Sequence, residues 1–296
     1  MPLKSVLLSF RLPFLVLTPV CVFLGLSTAL ASQIPFNSFT VVLVLLGAIA
    51  AHISVNTLNE YHDFNSGLDL NTRRTPFSGG SGALPDNPDA VTAVLVAGLL
   101  SLLVTIVIGI YLVTQTGISI LPLGIAGIAL IASYTQWINR APWLCLVAPG
   151  LGFGTLMVIG THLVVTGHYS GPVWQLSLVP FFLINNLLLL NLYPDIQADA
   201  RAGRRTFPIV FGVTASNAVY ALFMVAAYTT VAVLSLAGTI PAAAILALLP
   251  LPLSLYALQG AVRHASNIGE HPRYMAANVA AAILTPLILA TGISIG

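Results

Sequence analysis

Val55-Asn56-Thr57-Leu58-Asn59-Glu60-Tyr61-His62-Asp63-Phe64-Asn65-Ser66-Gly67-Leu68-Asp69 begins as the end of a long apolar segment and finishes as an acidic loop. Glu60, Asp63 and Asp69 fall within ten positions of a chain that is otherwise nearly free of charge. A carboxylate at a membrane boundary is costly unless something cationic neutralises it, so it marks a functional site by default. A second stretch of the same kind, Asn191-Leu192-Tyr193-Pro194-Asp195-Ile196-Gln197-Ala198-Asp199, follows much later. The function turns on whether the two stretches meet.

The membrane assignment comes from composition. Charged residues are 6% and hydrophobic residues 57% of the 296, against roughly 25% charged in an average soluble protein. Mean hydropathy is +0.97. So few charges cannot cover a soluble surface, and the chain reads as an integral membrane protein. A net charge of +2 says little about partners, and no basic patch interleaved with aromatics points to nucleic acid. Cys21 and Cys145 lie inside apolar segments and read as buried free thiols. Ala29-Leu30-Ala31 resembles a signal-peptidase site, yet the apolar run from Leu12 to Ala31 has the length of a spanning helix and is read as an uncleaved first span.

Apolar segments of spanning length fall at about 10–32, 38–60, 90–114, 118–138, 142–166, 174–194, 211–238, 240–262 and 274–295. They are continuously apolar rather than alternating, which excludes a barrel. The expectation is an all-α, polytopic bundle of nine transmembrane helices forming one domain over 1–296. All ten Lys and Arg residues then fall on the side of the N-terminus, and the eight acidic residues fall there too. By the positive-inside rule that side is cytoplasmic. A plasma (inner) membrane follows if the source is prokaryotic, with membrane lipid as the surroundings and no obligatory protein partner evident. Two cytoplasmic loops are long, about 62–88 and 195–210. In the first, Gly79, Gly80 and Gly82 read equally as an anion-binding loop or as a flexible linker. The opposite face is almost free of charge. His162, deep in the fifth segment, reads as a structural histidine.

Helical spacing puts His52, Asn56, Asn59 and Asp63 on one face, and Asn191, Asp195 and Asp199 recur at steps of four. Pro194 predicts a kink or break in the second stretch. Each segment ends in an amide followed by carboxylates, where negative charge opposes the helix dipole. Two such clusters side by side repel unless a divalent cation bridges them. Hard oxygens of this kind suit Mg²⁺, which commonly shares its site with substrate phosphates. Arg73, Arg74, Arg140, Arg204 and Arg205 lie on the same side and can take phosphate oxygens. One acidic motif alone would read as surface ion pairing. Two at helical spacing, over an apolar bundle, read as a metal site for a lipid-borne diphosphate.

The first stretch resembles the Asn-Asp-x-x-Asp-x-x-x-Asp signature of the UbiA-type intramembrane prenyltransferases. Asn59, Tyr61, Asp63, Gly67 and Asp69 match the variant of the branch that prenylates dihydroxynaphthoate. Asp195, Asp199, Gly203, Arg204 and Thr206 resemble the family's second signature. Glu60 stands where the family usually has Asp, Gly67 takes the final Asp position of the commonest form, and Asp69 substitutes two residues later. Pro194 stands where that branch often has Arg, Arg204 replaces a frequent Lys, and Thr155 follows Gly150-Leu151-Gly152-Phe153-Gly154 where a Glu is usual.

The resemblance implies Mg²⁺-dependent transfer of a polyprenyl group from polyprenyl diphosphate to an aromatic acceptor, a quinone precursor such as dihydroxynaphthoate. It implies Asn59, Asp63, Asp195 and Asp199 as catalytic, Asp63, Asp69, Asp195 and Asp199 as metal ligands, and Arg74, Arg140, Arg204 and Tyr134 at the diphosphate. The competing readings are a glycerol-phosphate lipid or porphyrin acceptor, and a non-catalytic protein that binds or transports a polyprenyl lipid.

Overall fold

The structure is a computed structural model that describes residues 2–296. Every regular element among those residues is helical, because in lipid each backbone polar group must be satisfied within its own segment or a closed barrel. The long segments are α1 Leu17–Ala31, α2 Ser38–Asn65, α3 Pro88–Thr116, α4 Ile118–Ser133, α5 Pro142–Thr166, α6 Gly171–Asn191, α7 Phe207–Leu236, α8 Ala242–Glu270 and α9 Pro272–Ile295.

The expected all-α bundle is present, and seven or eight of the nine expected spans are long and apolar enough by themselves to cross a membrane. Seven segments, α2, α3 and α5 to α9, are each long and apolar enough to cross a membrane. α1 qualifies only together with the preceding helical stretch Pro2–Leu15, from which it bends by 41°, so the count reaches eight at most. The bend falls at Val16, between the two stretches, and Arg11, at a left-handed φ of 53°, separately breaks the first of them. The segment expected at 118–138 folds as the shorter α4. Its helix stops at Ser133, ahead of a turn through Tyr134–Trp137 and of Ile138–Arg140, a 3₁₀ turn before Pro142.

Two halves differ in packing. α6 to α9 and α1 surround the main hydrophobic core, which includes the fully buried Leu24, Leu176, Leu190, Tyr193, Tyr220 and Met275. A buried polar network stitches them. Tyr220 Oη donates to Asn278 Oδ1 at 2.8 Å, Asn278 Nδ2 donates to the Asn186 carbonyl at 3.0 Å, and Tyr228 bonds to Ser254 and Thr285. In lipid such bonds hold helices together where apolar contact with a neighbour gains little over contact with lipid. α5 joins this half through close backbone approach. Pro149 interrupts its hydrogen bonding, and Gly150–Met157 continues as a π-helix. Gly150 N donates to buried Asn185 Oδ1 at 2.6 Å. A Cβ on Gly154 would sit 2.3 Å from Phe181 N, so glycine alone fits. The expectation of buried free thiols holds for both Cys21 and Cys145.

α2, α3 and α4 form the other, looser half. α2 and α3 pack along their length, with Ser54 Oγ donating to the Gly98 carbonyl at 2.9 Å. From Leu121 to Ser133, α4 buries no residue at all.

Candidate active site

The site is assembled from the ends of α2 and α6. α2 carries Asn59, Glu60 and Asp63 through its last turns and ends at Asn65. Gly67 then takes φ 77°, with nothing near the position a Cβ would occupy. Its role is therefore conformational: the left-handed turn reverses the chain into Leu68–Asn71 and returns Asp69, 7% exposed, to the interior. The glycine at 67 is thus the means by which Asp69 is delivered. On the other side α6 stops at Asn191, and the break expected at Pro194 is present as a turn before Ile196–Arg201. Asp199 in that short helix is 2% exposed.

The two acidic stretches meet, and a side chain joins them. Arg204 donates to Asp63 Oδ1 through Nη2 and to Asp199 Oδ1 through Nη1, the latter at 3.0 Å. The bridging cation demanded by two facing carboxylate clusters is, in this structure, a guanidinium. The glycine-rich segment closes over both. Gly79 N donates to Asp195 Oδ2 at 3.0 Å, while Ser81 donates to Glu60 through its backbone N at 2.7 Å and its hydroxyl at 2.9 Å. Its backbone N–H groups thus serve carboxylates of both stretches. Glu60 is fully buried and also takes Arg11 at 2.6 and 2.8 Å, which ties the N-terminal segment to the site. Asn59 Nδ2 donates to Thr135 Oγ1 at 3.3 Å, and Arg205 N donates to the Asn139 carbonyl at 2.9 Å, bringing in the loop after α4.

Beneath these groups lies a cavity of about 490 Å³. Its charged end is lined by Asn59, Asp63, Asp69, Asp195, Asp199 and Arg204, with Tyr134 beside them. Its walls continue as the apolar faces of α2 to α6, including Ile108, Ile131, Phe153, Leu156 and Leu187. Arg74 and Arg140 lie outside it. Arg74 is exposed and paired with Asp86 at 3.0 Å, and Arg140 is exposed. Its neighbour Asn139, 4% exposed, lines the cavity instead. Sequence reasoning missed Arg11 and Ser81 as partners of Glu60. The signal for Arg11 was a basic residue close ahead of the first span; Ser81 carried none.

Three oxygens at the charged end are buried without a partner: Asp69 Oδ2, Asp195 Oδ1 and Asn191 Oδ1. All three residues line the cavity. Burial and the neighbouring charges of Asp63 and Glu60 push the Asp69 carboxyl up to about 8. Burial and Asp199 raise Asp195 to about 7. Asp199 is raised to about 6 by burial, against the pull of Arg204. Among the described residues no three His, Cys, Asp or Glu side chains are grouped to hold an ion by themselves. Unpaired hard oxygens with surplus negative charge nonetheless fit Mg²⁺ arriving on a diphosphate, which needs only one or two protein carboxylates.

Comparison with known proteins adds four findings. Residues 17–280 match the family described as the UbiA prenyltransferase family. A Bacillus subtilis (strain 168) protein, 1,4-dihydroxy-2-naphthoate octaprenyltransferase, is 25% identical over 224 residues, which is 75% of this chain and 70% of that protein. The fold is similar to the apo structure of a UbiA homolog from Aeropyrum pernix K1, with a TM-score of 0.73 at 17% identity over 95% of this chain and 97% of that one. It is also similar to a UbiA homolog from Archaeoglobus fulgidus bound to GPP and Mg²⁺, with a TM-score of 0.58 at 14% identity over 95% and 99%.

Proposed function

The chain belongs to the UbiA prenyltransferase family, and from that membership and its site we propose that it transfers a polyprenyl group from polyprenyl diphosphate to dihydroxynaphthoate or a closely related aromatic acceptor, with Mg²⁺. One observation carries the reading: two buried carboxylate clusters converge at the mouth of an apolar cavity and leave oxygens unpaired there. The naphthoate prenyltransferase among its relatives supports the acceptor class. The GPP and Mg²⁺ held by a structural relative support the donor and the ion.

In this reading Asp63, Asp69, Asp195 and Asp199 hold Mg²⁺, with Asn59 supporting the set. When bound, the ion supplies positive charge against the leaving diphosphate. Arg204, which holds Asp63 and Asp199 at the charged end, would take phosphate oxygens and neutralise charge developing on the leaving group. Arg74 and Arg140, from their exposed positions, would meet the diphosphate at the mouth. The apolar walls hold the polyprenyl chain and keep water from the allylic carbon as the C–O bond breaks. Tyr134, at the junction of charged end and apolar walls, flanks that carbon. A ring carbon of the acceptor bonds to it, and the ring proton is lost. Membrane-wise, we propose α4 as a further crossing, which completes nine and leaves the charged loops cytoplasmic.

The test is transfer by purified protein in nanodiscs, read by mass spectrometry, with and without Mg²⁺. Prenylated naphthoate should form only with Mg²⁺, and Asp63→Ala and Asp195→Ala should each lower the rate by about 10²-fold or more with folding retained. Full activity in both variants would overturn the site assignment.

A further inference from the structure

The last residues of α8, Ala265–Glu270, form a 3₁₀ turn that lines no part of the cavity. Ala265, at φ 48°, ends the regular helix ahead of it, and His264 stacks on His271 across its base with ring centroids 3.7 Å apart. Three consecutive residues then fix where the turn sits. Ile268 is fully buried in the main hydrophobic core. Gly269 packs against Thr75 and Pro194. Glu270 accepts from Arg73 Nη1 at 3.0 Å, two residues before Thr75. The turn is thus anchored in the α6–α9 half and reaches onto the glycine-rich loop that hangs from α2.

A Cβ at Gly269 would lie 3.0 Å from Thr75 Cγ2 and 3.1 Å from both Cβ and Cγ of Pro194. Its φ is not left-handed, so glycine is needed here for space and not for backbone conformation. Neither neighbour is the loose end of a flexible side chain. Pro194 is a closed ring. The Thr75 hydroxyl accepts from the amides of Phe77 and Ser78 at 3.2 and 2.9 Å and bonds to Ser78 Oγ at 2.9 Å, which fixes the rotamer that turns its methyl to Gly269. An added side chain must therefore move backbone.

The backbone it would move carries a hydrogen bond of the site. Asp195 follows Pro194 directly, and Gly79 follows the turn closed by Thr75 N and the Ser78 carbonyl. Gly79 N donates to Asp195 Oδ2 at 3.0 Å. That bond leaves Oδ1, buried and unpaired, as the oxygen Asp195 offers at the cavity. Partners that orient a metal-binding side chain are typically worth 10- to 100-fold in metal affinity, by order of magnitude. Gly269 touches the segments on both sides of this bond.

We propose that Gly269 is a positioning residue: its bare backbone lets the α8–α9 turn hold Thr75 and Pro194 at the spacing where Gly79 N reaches Asp195 and aims its free oxygen. The consequence for Mg²⁺ rests on the proposed function, while the spacing itself is read in the free protein.

The experiment uses the full-length protein in nanodiscs and compares Gly269→Ala, Thr75→Ser and the double variant. Thr75→Ser keeps the hydroxyl and deletes the methyl that the new Cβ would meet. Without ligand, deuterium exchange at the Gly79 amide should be about 10-fold faster in Gly269→Ala, unchanged in Thr75→Ser, and partly restored in the double variant. Exchange in the buried parts of α6 to α9 should not change. In transfer assays Gly269→Ala should raise the Mg²⁺ concentration for half-maximal rate about 10-fold and leave the naphthoate KM as it was. If Gly269→Ala does not fold, the double variant is set against Thr75→Ser, and Gly79 exchange must still be at least about 3-fold faster through the contact with Pro194. Wild-type exchange at Gly79 in these variants, or acceleration spread evenly through α6 to α9, would overturn the Gly269 assignment. No Mg²⁺-dependent transfer by the wild type would overturn the functional reading, and the exchange result then decides the spacing by itself.

Discussion

The two halves of the bundle solve opposite problems with the same material. In α6, 67% of the most apolar stretch is buried, against 11% in α3. The α6–α9 half is knit by side-chain hydrogen bonds between buried Tyr, Asn, Ser and Thr, and by glycines at which helix backbones touch. The α2–α4 half has few such devices and closes one side of the cavity, whose other side is α5 and α6. The proposed transfer asks for walls able to part around a long hydrocarbon and a flat acceptor, and for carboxylates in fixed positions. The chain separates these demands by hanging one acidic stretch from each half. α6, the most buried long helix, carries Asn191 to Asp199, and α2 carries Asn59 to Asp69 across the gap.

Gly154→Leu tests the rigid half and should have the largest effect. A side chain there must displace the α6 backbone at Phe181, so folded protein should be lost, read by size exclusion in detergent. The same change at Gly109 in α3, where a Cβ meets nothing, should be tolerated. Equal behaviour of the two would erase the distinction between the halves.

Next in size is Arg204→Ala, which removes the link across the gap. It leaves Asp63 and Asp199 buried and unpaired, and should cost about 3 kcal/mol of stability. Mg²⁺ with inorganic diphosphate should restore part of the melting temperature, because it supplies the missing positive charge. Absence of that rescue would count against the shared site. Tyr220→Phe, inside the rigid half, should cost about 1 kcal/mol and leave transfer intact.

The last test, pH dependence, acts on the shared site without removing a side chain. Asp69 and Asp195 sit at about 8 and about 7 in the folded protein, above the value of about 3.9 for a free Asp. A carboxyl raised on folding contributes stability that is present below its unfolded value and lost as pH rises through its folded value. The free protein should therefore melt progressively lower between pH of about 4 and about 8. Binding Mg²⁺-diphosphate at pH 7 should release protons, measured by calorimetry in buffers of different ionisation enthalpy. At pH 9 the release should disappear.

Much of the fold was legible because span length and hydropathy are local properties. The segments expected from 142 onward lie within a few residues of α5 to α9. What was not legible was backbone conformation: the bend ahead of Leu17 and the early stop at Ser133 leave no compositional trace. For the site, Asn59, Asp63, Asp195 and Asp199, each picked out by helical spacing within its own stretch, line one cavity. The partners of those groups were not legible. That Arg204 spans Asp63 and Asp199, that Glu60 serves Arg11 and Ser81, and that Asn139 rather than Arg140 lines the cavity are facts of long-range packing. Arg140 and Asn139 are adjacent in sequence, and only the turn after Tyr134 decides which faces inward.

The Gly79 amide bond to Asp195 makes the closed loop a reporter on the site beneath it. Exchange of that single hydrogen with solvent deuterium should be slow in the free protein. It should accelerate once Asp195 turns to a metal-borne ligand and releases its donor. Isotope uptake at one backbone position would then time the loading of the enzyme, independently of any chemistry that follows.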